Sequence, residues 1–179
     1  SPQSPYGCAK TFAHQCAQVY RMGYGMFLAC GINFNFESPR RSPEFVTRKI
    51  TQGIGAIKRG ESSVLRLGNL AAARDWSFAG DVADAAWRML QQPEPDDYVI
   101  ASGETHTIQE FVDLAFNYVG LNPSEYVKVD PACFRPLDVH HLQGCAEKAH
   151  RMLGWQPTVG FRDLVYQMVN HDTREVHVS

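Results

Sequence analysis

The stretch MFLACGINF (Met26–Phe34) carries no charge and is dominated by apolar and small side chains. It is far shorter than the roughly 20 residues a membrane-spanning helix needs. It also lacks the polar–apolar alternation of a half-exposed strand. A run of this kind reads as a strand buried on both faces, as in a parallel sheet. A sheet of that type must be covered by helices, and the sequence supplies them on both sides. Ahead of the run, Ser4 and Pro5 form a helix start, and Phe12, Cys16, Val19 and Tyr20 make a helical stripe that continues to Met22 and is closed by Gly23 and Gly25. Behind it, NFESPRRSP reads as a charged loop. Ser42 and Pro43 then repeat the helix-start pattern ahead of a stripe of Val46, Ile50, Ile54 and Ile57, ended by Gly60.

The alternation continues to the end of the chain. SSVLRLGN predicts a strand and turn. Asp81 is placed to cap a helix with an inner face of Val82, Ala85, Ala86, Met89 and Leu90, and DYVIAS predicts the next strand. Thr107 and Glu110 form a T-x-x-E capping box ahead of Ile108, Phe111, Val112, Ala115 and Val119. YVKVD predicts a short strand, PACFRPLDVHH a long loop, and two helices follow, around Ala146–Leu153 and Phe161–Val169, separated by Gly154 and Pro157. Strands and helices in regular alternation predict an α/β fold.

With 179 residues the chain is long enough for one domain with a real core, and its net charge of −2 argues against nucleic acid or a membrane surface as a partner. No signal peptide is recognisable. Five cysteines with no C-x-x-C pair are expected to be reduced thiols of a cytoplasmic protein. His140, His141 and Cys145 lack the paired spacing of a zinc module, so no metal is expected.

SPYGCAK (Ser4–Lys10) carries a possible chemistry. Tyr6 and Lys10 lie four apart on one helix face, with only small residues between them. An ammonium beside a phenol favours the phenolate, as a general base requires. By spacing alone the pair is more simply an ordinary surface pair. GIGAIKRG contains glycines but lies within a helical pattern, so it is a poor phosphate cradle, and no G-x-G-x-x-G follows a strand and opens a helix.

Taken together, Y-x-x-x-K after Ser-Pro, NFNFESPRR with FVTRKI, LGN with RDW, VDP with FRP, and LGW followed by a proline resemble, in order and spacing, the GDP-mannose 4,6-dehydratases of the extended short-chain dehydrogenase/reductase superfamily. The resemblance runs from Ser4 to about Val169 and matches the C-terminal half of that family. It implies a partial Rossmann-like parallel sheet with the smaller C-terminal substrate-binding domain, the two interleaved along residues 1–179. It also implies that the NADP-binding glycine turn, a catalytic threonine and a catalytic glutamate belong to a preceding half, so that this chain by itself is expected to be inactive.

The family converts GDP-mannose to GDP-4-keto-6-deoxymannose with NADP as internal hydride carrier. The resemblance implies that Tyr6 is the general base and that Lys10 assists it and holds the nicotinamide ribose. It places Asn35 near the sugar and diphosphate, Val46 and Lys49 at the nucleotide, and Gly68 and Arg74 at the substrate-binding LGN and RDW positions, with Arg74 facing phosphate. Arg135 and Asp138 are implied to approach the nucleotide, with an aspartate where the family has a glutamate. Arg40 and Arg41 match a loop that reaches a neighbouring subunit near its NADP, within a dimer or tetramer. Singly, these residues have simpler roles open to them: Arg74 paired with Asp75, the two arginines solvated, Lys49 lying along an apolar helix. The alternatives to the dehydratase are another nucleotide-sugar epimerase or reductase, and a silent nucleotide-binding or assembly fragment.

Overall fold

A computed structural model describes residues 2–134 and 139–174. The first element is helix α1 (Pro5–Tyr24), capped by Ser4, whose hydroxyl accepts from the Gly7 amide at 3.0 Å, and closed by Gly25 at φ 64°. The left-handed region at that position suits a residue without Cβ. Strands β1 (Cys30–Asn33) and β2 (Asn35–Glu37) follow, then α2 (Val46–Lys58), β3 (Leu65–Leu67), β4 (Ala73–Arg74), β5 (Trp76–Phe78), α3 (Ala79–Met89), β6 (Asp97–Ile100) and β7 (His106–Thr107). Helices α4 (Ile108–Tyr118) and α5 (Pro123–Tyr126), strand β8 (Val127–Val129) and helices α6 (Glu147–Leu153) and α7 (Phe161–Thr173) complete the order. A 3-10 turn spans Pro131–Cys133.

The expected α/β architecture is present, with the strands in pairs. β1 runs parallel to β6 with Cys30 opposite Asp97, β2 parallel to β5, and β3 parallel to β8; β4 and β7 are antiparallel. Two apolar cores form, fed by segments that alternate along the chain. One joins Ile50 and Ile54 of α2, Leu67 of β3, Trp76 of β5, Phe111 and Phe116 of α4, and Leu164 and Met168 of α7. The other joins Val82 and Met89 of α3, Tyr98 and Ile100 of β6, Ala149 of α6, and Trp155.

Polar side chains bind these layers where backbone groups would otherwise be buried unpaired. Asp75, fully buried, accepts from the Ser102 amide at 2.8 Å, the Ser102 hydroxyl at 2.7 Å, the Gly103 amide at 3.0 Å and the Gly144 amide at 3.1 Å. Arg48 pairs with Asp172, which also accepts from Thr51 at 2.6 Å, clamping α2 to α7.

Several local expectations are corrected. The Met26–Phe34 run does form a parallel strand, but β1 is exposed along three of its four residues, and Ile32 keeps 45% of its surface. No residue of α1 is buried, although its apolar stripe is helical as read. Both follow from what packs against them: the α1 anchors that are described are polar, chiefly Gln18 and Arg21 on Asp97. NFESPRRSP is not all loop, because its first three residues pair with β5. Helix α2 begins at Val46 rather than beside Ser42 and Pro43, which form a turn closed by the Phe45 amide on the Ser42 carbonyl.

Asp81 does not cap α3; Phe78 holds that position, and the Asp81 carboxylate accepts from the Thr158 amide and hydroxyl and the Val159 amide. Ala86 and Leu90 lie outside the inner face of α3. The capping box of α4 is present in both directions, Glu110 amide to Thr107 and Thr107 amide to Glu110.

Candidate functional site

Tyr6, Lys10 and His14 follow one another at four-residue intervals, so they share one face of α1. That face opposes the carboxyl end of β1. Together with Thr11, Gly31, Ile32, Asn33 and Phe36 they line a cleft of about 570 Å³. The carboxyl ends of parallel strands are where α/β sheets bind ligands. The Lys10 ammonium lies 5.7 Å from the centroid of the Tyr6 ring, within cation–π range. Both side chains are open to an incoming molecule, with Tyr6 72% exposed. Asn35 is not among the residues lining this cleft; it opens β2, opposite Trp76, beside the cleft residue Phe36.

A second group forms around the 3-10 turn. The Lys49 ammonium reaches the Cys133 sulfur at 3.8 Å. Gly68 packs so closely on Cys133 that a Cβ there would sit 2.5 Å from the Cys133 carbonyl oxygen. Val46, one turn before Lys49, is half-buried against the α2–α4–α7 core. Arg74 donates to the carbonyls of Ala73 and Val139. Lys49 and Gly68 therefore meet the chain just before residue 135, and Arg74 meets it just after residue 138. Arg135 and Asp138 themselves lie outside the described residues. The Arg74–Asp75 pair entertained from sequence is not what holds Asp75, whose carboxylate is taken by the 102–103 and 144 backbone and the Ser102 hydroxyl.

The two arginines of ESPRR separate. Arg40 is exposed, whereas the Arg41 guanidinium stacks 3.4 Å over the Phe45 ring and sits 3.3 Å from the Glu37 carboxylate. Glu37 is buried and accepts from Thr47 at 2.7 Å; burial raises its pKa above the usual carboxylate value, opposed by that hydrogen bond and by Arg41.

The residue pattern was matched by comparison with known proteins. A family model described as GDP-mannose 4,6 dehydratase matches residues 1–168. The chain belongs to the GDP-mannose 4,6-dehydratase family. Its relatives include GDP-mannose 4,6 dehydratase 2 of Arabidopsis thaliana, 54% identical over 171 residues, covering 96% of this chain and 46% of the relative. The Homo sapiens GDP-mannose 4,6 dehydratase is 43% identical, covering 96% of this chain and 50% of the relative. The chain thus spans about half the length of the curated relatives it matches. Among solved structures, RMD from Pseudomonas aeruginosa complexed with NADPH superposes with a TM-score of 0.87 at 21% identity, covering 97% of this chain and 57% of that one. UDP-glucose 4-epimerase of Thermus thermophilus complexed with NAD gives a TM-score of 0.80 at 27% identity, covering 96% of this chain and 55% of that one. The fold is that of the extended short-chain dehydrogenase/reductases.

Sequence reasoning passed over several residues of this family member's cleft. His14 and Asn33 carry no local motif and become visible only when α1 is laid across β1. Asp75 and Asp81 are recognisable as structural carboxylates only from their burial. His140, His141 and Cys145 form no ligand group among the described residues; His14, Cys30 and Asp97 do, with ligand atoms within 4.8 Å of one another. No described helix is long and apolar enough to cross a membrane.

Proposed function

We propose that this chain provides the substrate-facing half of an NADP-dependent GDP-mannose 4,6-dehydratase, a hydro-lyase of the cytoplasm that works as a dimer or tetramer. The observation that carries this reading is the shared cleft of Tyr6 and Lys10 at the carboxyl end of β1, in a chain whose named dehydratase relatives are 42–54% identical to it. The interleaving of the two apolar cores supports a Rossmann-derived part and a substrate part built from alternating segments.

The residues divide the work by chemistry. Tyr6 takes the proton of the sugar C4 hydroxyl as that carbon is oxidised. The Lys10 cation beside the ring stabilises the charge that the phenol then carries, and its ammonium is also placed to hold a ribose hydroxyl. Lys10 and Arg40 would hold NADP, which would supply the oxidant for C4 and the reductant for C6. Exposed Arg40 is the member of its pair open to a cofactor phosphate or a neighbouring subunit, while Arg41 is tied inward. Lys10 on α1 and Arg40 in the 38–41 turn are cations suited to the cofactor's negative charge. At the other group, Lys49 and Arg74 supply cations for a diphosphate, and Gly68 lets the Cys133 backbone pack beside them. Arg135 and Asp138 complete this set by motif, and Asn35 opens β2 beside the cleft residue Phe36.

The test is a chimera in which this chain replaces the corresponding half of the Arabidopsis thaliana relative. The expected result is conversion of GDP-mannose to a product lighter by one water, followed by mass spectrometry. Tyr6→Phe in the same chimera is expected to lower kcat at least about 100-fold with GDP binding retained. A well-folded chimera that yields only an epimer, or that is indifferent to Tyr6→Phe, overturns the reading.

A further inference from the structure

Where α1 crosses β1 and β6, three side chains from three elements converge on a point that the dehydratase reading does not use. They are His14 of α1, Cys30 of β1 and Asp97 of β6. Cys30 and Asp97 are cross-strand partners in the parallel ladder, so they project from the same face. His14 descends on them from the helix, its Nε2 3.3 Å from Asp97 Oδ2. All three ligand atoms lie within 4.8 Å of one another. We propose that these residues bind a divalent transition ion of the zinc class, which pins α1 to the sheet.

The donor set is an imidazole, a thiolate and a carboxylate, the ligands that tetrahedral zinc takes. Bond lengths of roughly 2.0–2.3 Å imply donor–donor edges of about 3.3–3.7 Å in a tetrahedron. The His14–Asp97 separation already meets this, and Cys30 needs a shift of at most about 1.3 Å to do so. On binding, the Cys30 thiol gives its proton to solvent, and the ion with one thiolate and one carboxylate is formally neutral. The second shell is also in place. Arg21 donates at 2.6 Å to Asp97 Oδ1, leaving Oδ2 for the metal, and its Nε donates to the Leu28 carbonyl at 2.8 Å. Hydrogen-bonded carboxylate ligands of this kind are the rule in metal sites.

Gln18 offers a fourth ligand. Its amide nitrogen lies 3.2 Å from His14 Nε2 and 3.3 Å from Asp97 Oδ2, and turning the amide over puts its oxygen into the same triangle. Water serves equally in that position. The thiol has the Arg21 guanidinium at 3.8 Å and the Asp97 carboxylate as polar neighbours, so it already sits between a cation and the two other candidate ligands. Because His14 also lines the cleft of Tyr6 and Lys10, a bound ion would fix the helix that presents them.

The probe is Co²⁺ added to the reduced, chelator-treated 179-residue chain. The expected signature is saturation at one ion per chain, with a sulfur-to-cobalt charge-transfer band, tetrahedral visible bands, and displacement of both by Zn²⁺. Cys30→Ser is expected to remove the charge-transfer band, and His14→Gln to weaken Co²⁺ binding about 10-fold or more. Cys8→Ser and Cys16→Ser, on the same helix, are expected to leave the band intact. An absent band, or one that survives Cys30→Ser, overturns the proposal. Should Cys30→Ser not fold, alkylation of the unmodified chain decides: Zn²⁺ is expected to protect Cys30 and not exposed Cys8, Cys133 or Cys145, and equal labelling with and without Zn²⁺ refutes the site. None of these readouts depends on dehydratase activity.

Discussion

Glu37 is the residue whose environment differs most from what its local sequence suggests. In NFESPRR it looks like one more charge in a loop, yet it is 2% exposed and carries a raised pKa, with burial the largest cause. Thr47 and Arg41 offset part of that cost without removing it. Since the folded-state pKa lies above the unfolded one, folding takes up a proton in the window between them, and stability falls as pH rises through it. Glu37→Gln keeps an acceptor for the Thr47 hydroxyl and removes the buried charge. The expected outcome is a melting temperature above the parent's at neutral pH, with the gap closing as the solution is acidified below the Glu37 value. A gap that is constant with pH, followed by differential scanning fluorimetry from mildly acidic to neutral conditions, would place the effect elsewhere.

At the scale of elements, capping was legible wherever it is carried by residues adjacent in sequence. Ser4 on α1 and the Thr107–Glu110 box on α4 are both present as read. Ser42 and Pro43 carry a helix-start pattern but form a turn of their own, and α2 opens after Phe45 with no side-chain cap. That helix is held by Arg48 and Thr51 on Asp172, more than 120 residues away, which no local pattern reveals. For α4, Thr107→Ala is expected to cost about 1 kcal/mol, read as a melting temperature lower by roughly 2–4 °C in a chain of this size. An unchanged temperature would mean that packing of Phe111 and Phe116 alone sets the stability of α4.

The whole molecule carries an unusual surface. Tyr6, Phe12, Val19, Met22 and Tyr24 of α1, with Met26, Phe27 and Ile32 leading into and along β1, are all exposed. This many exposed apolar side chains, next to a strand whose described pairing is with β6 on one side, favour association. The chain is therefore expected to self-associate with concentration, and sedimentation velocity over a hundredfold range should show the weight-average mass rising. A monomer with a sharp, concentration-independent melt would show that this surface is tolerated in water.

The sequence by itself determined the helix stripes, the strands β1, β3, β6 and β8, the α4 box, the α/β class and the family, because each rests on periodicity or on motifs legible along the chain; β2, β4, β5 and β7 are too short to carry a period and are set by their partners. The tertiary structure decided which faces are covered and which charges are buried. Asp75, Asp81 and Glu37 look alike in sequence, yet each is fixed by partners contributed from elsewhere: the 102–103 and 144 backbone, Thr158 and Val159, and Thr47. Likewise His14, Cys30 and Asp97 are separated by 16 and 67 positions and share no motif. They meet because parallel pairing sets Cys30 opposite Asp97 and the α1 crossing lowers His14 onto both, a juxtaposition set by strand register rather than by any local pattern.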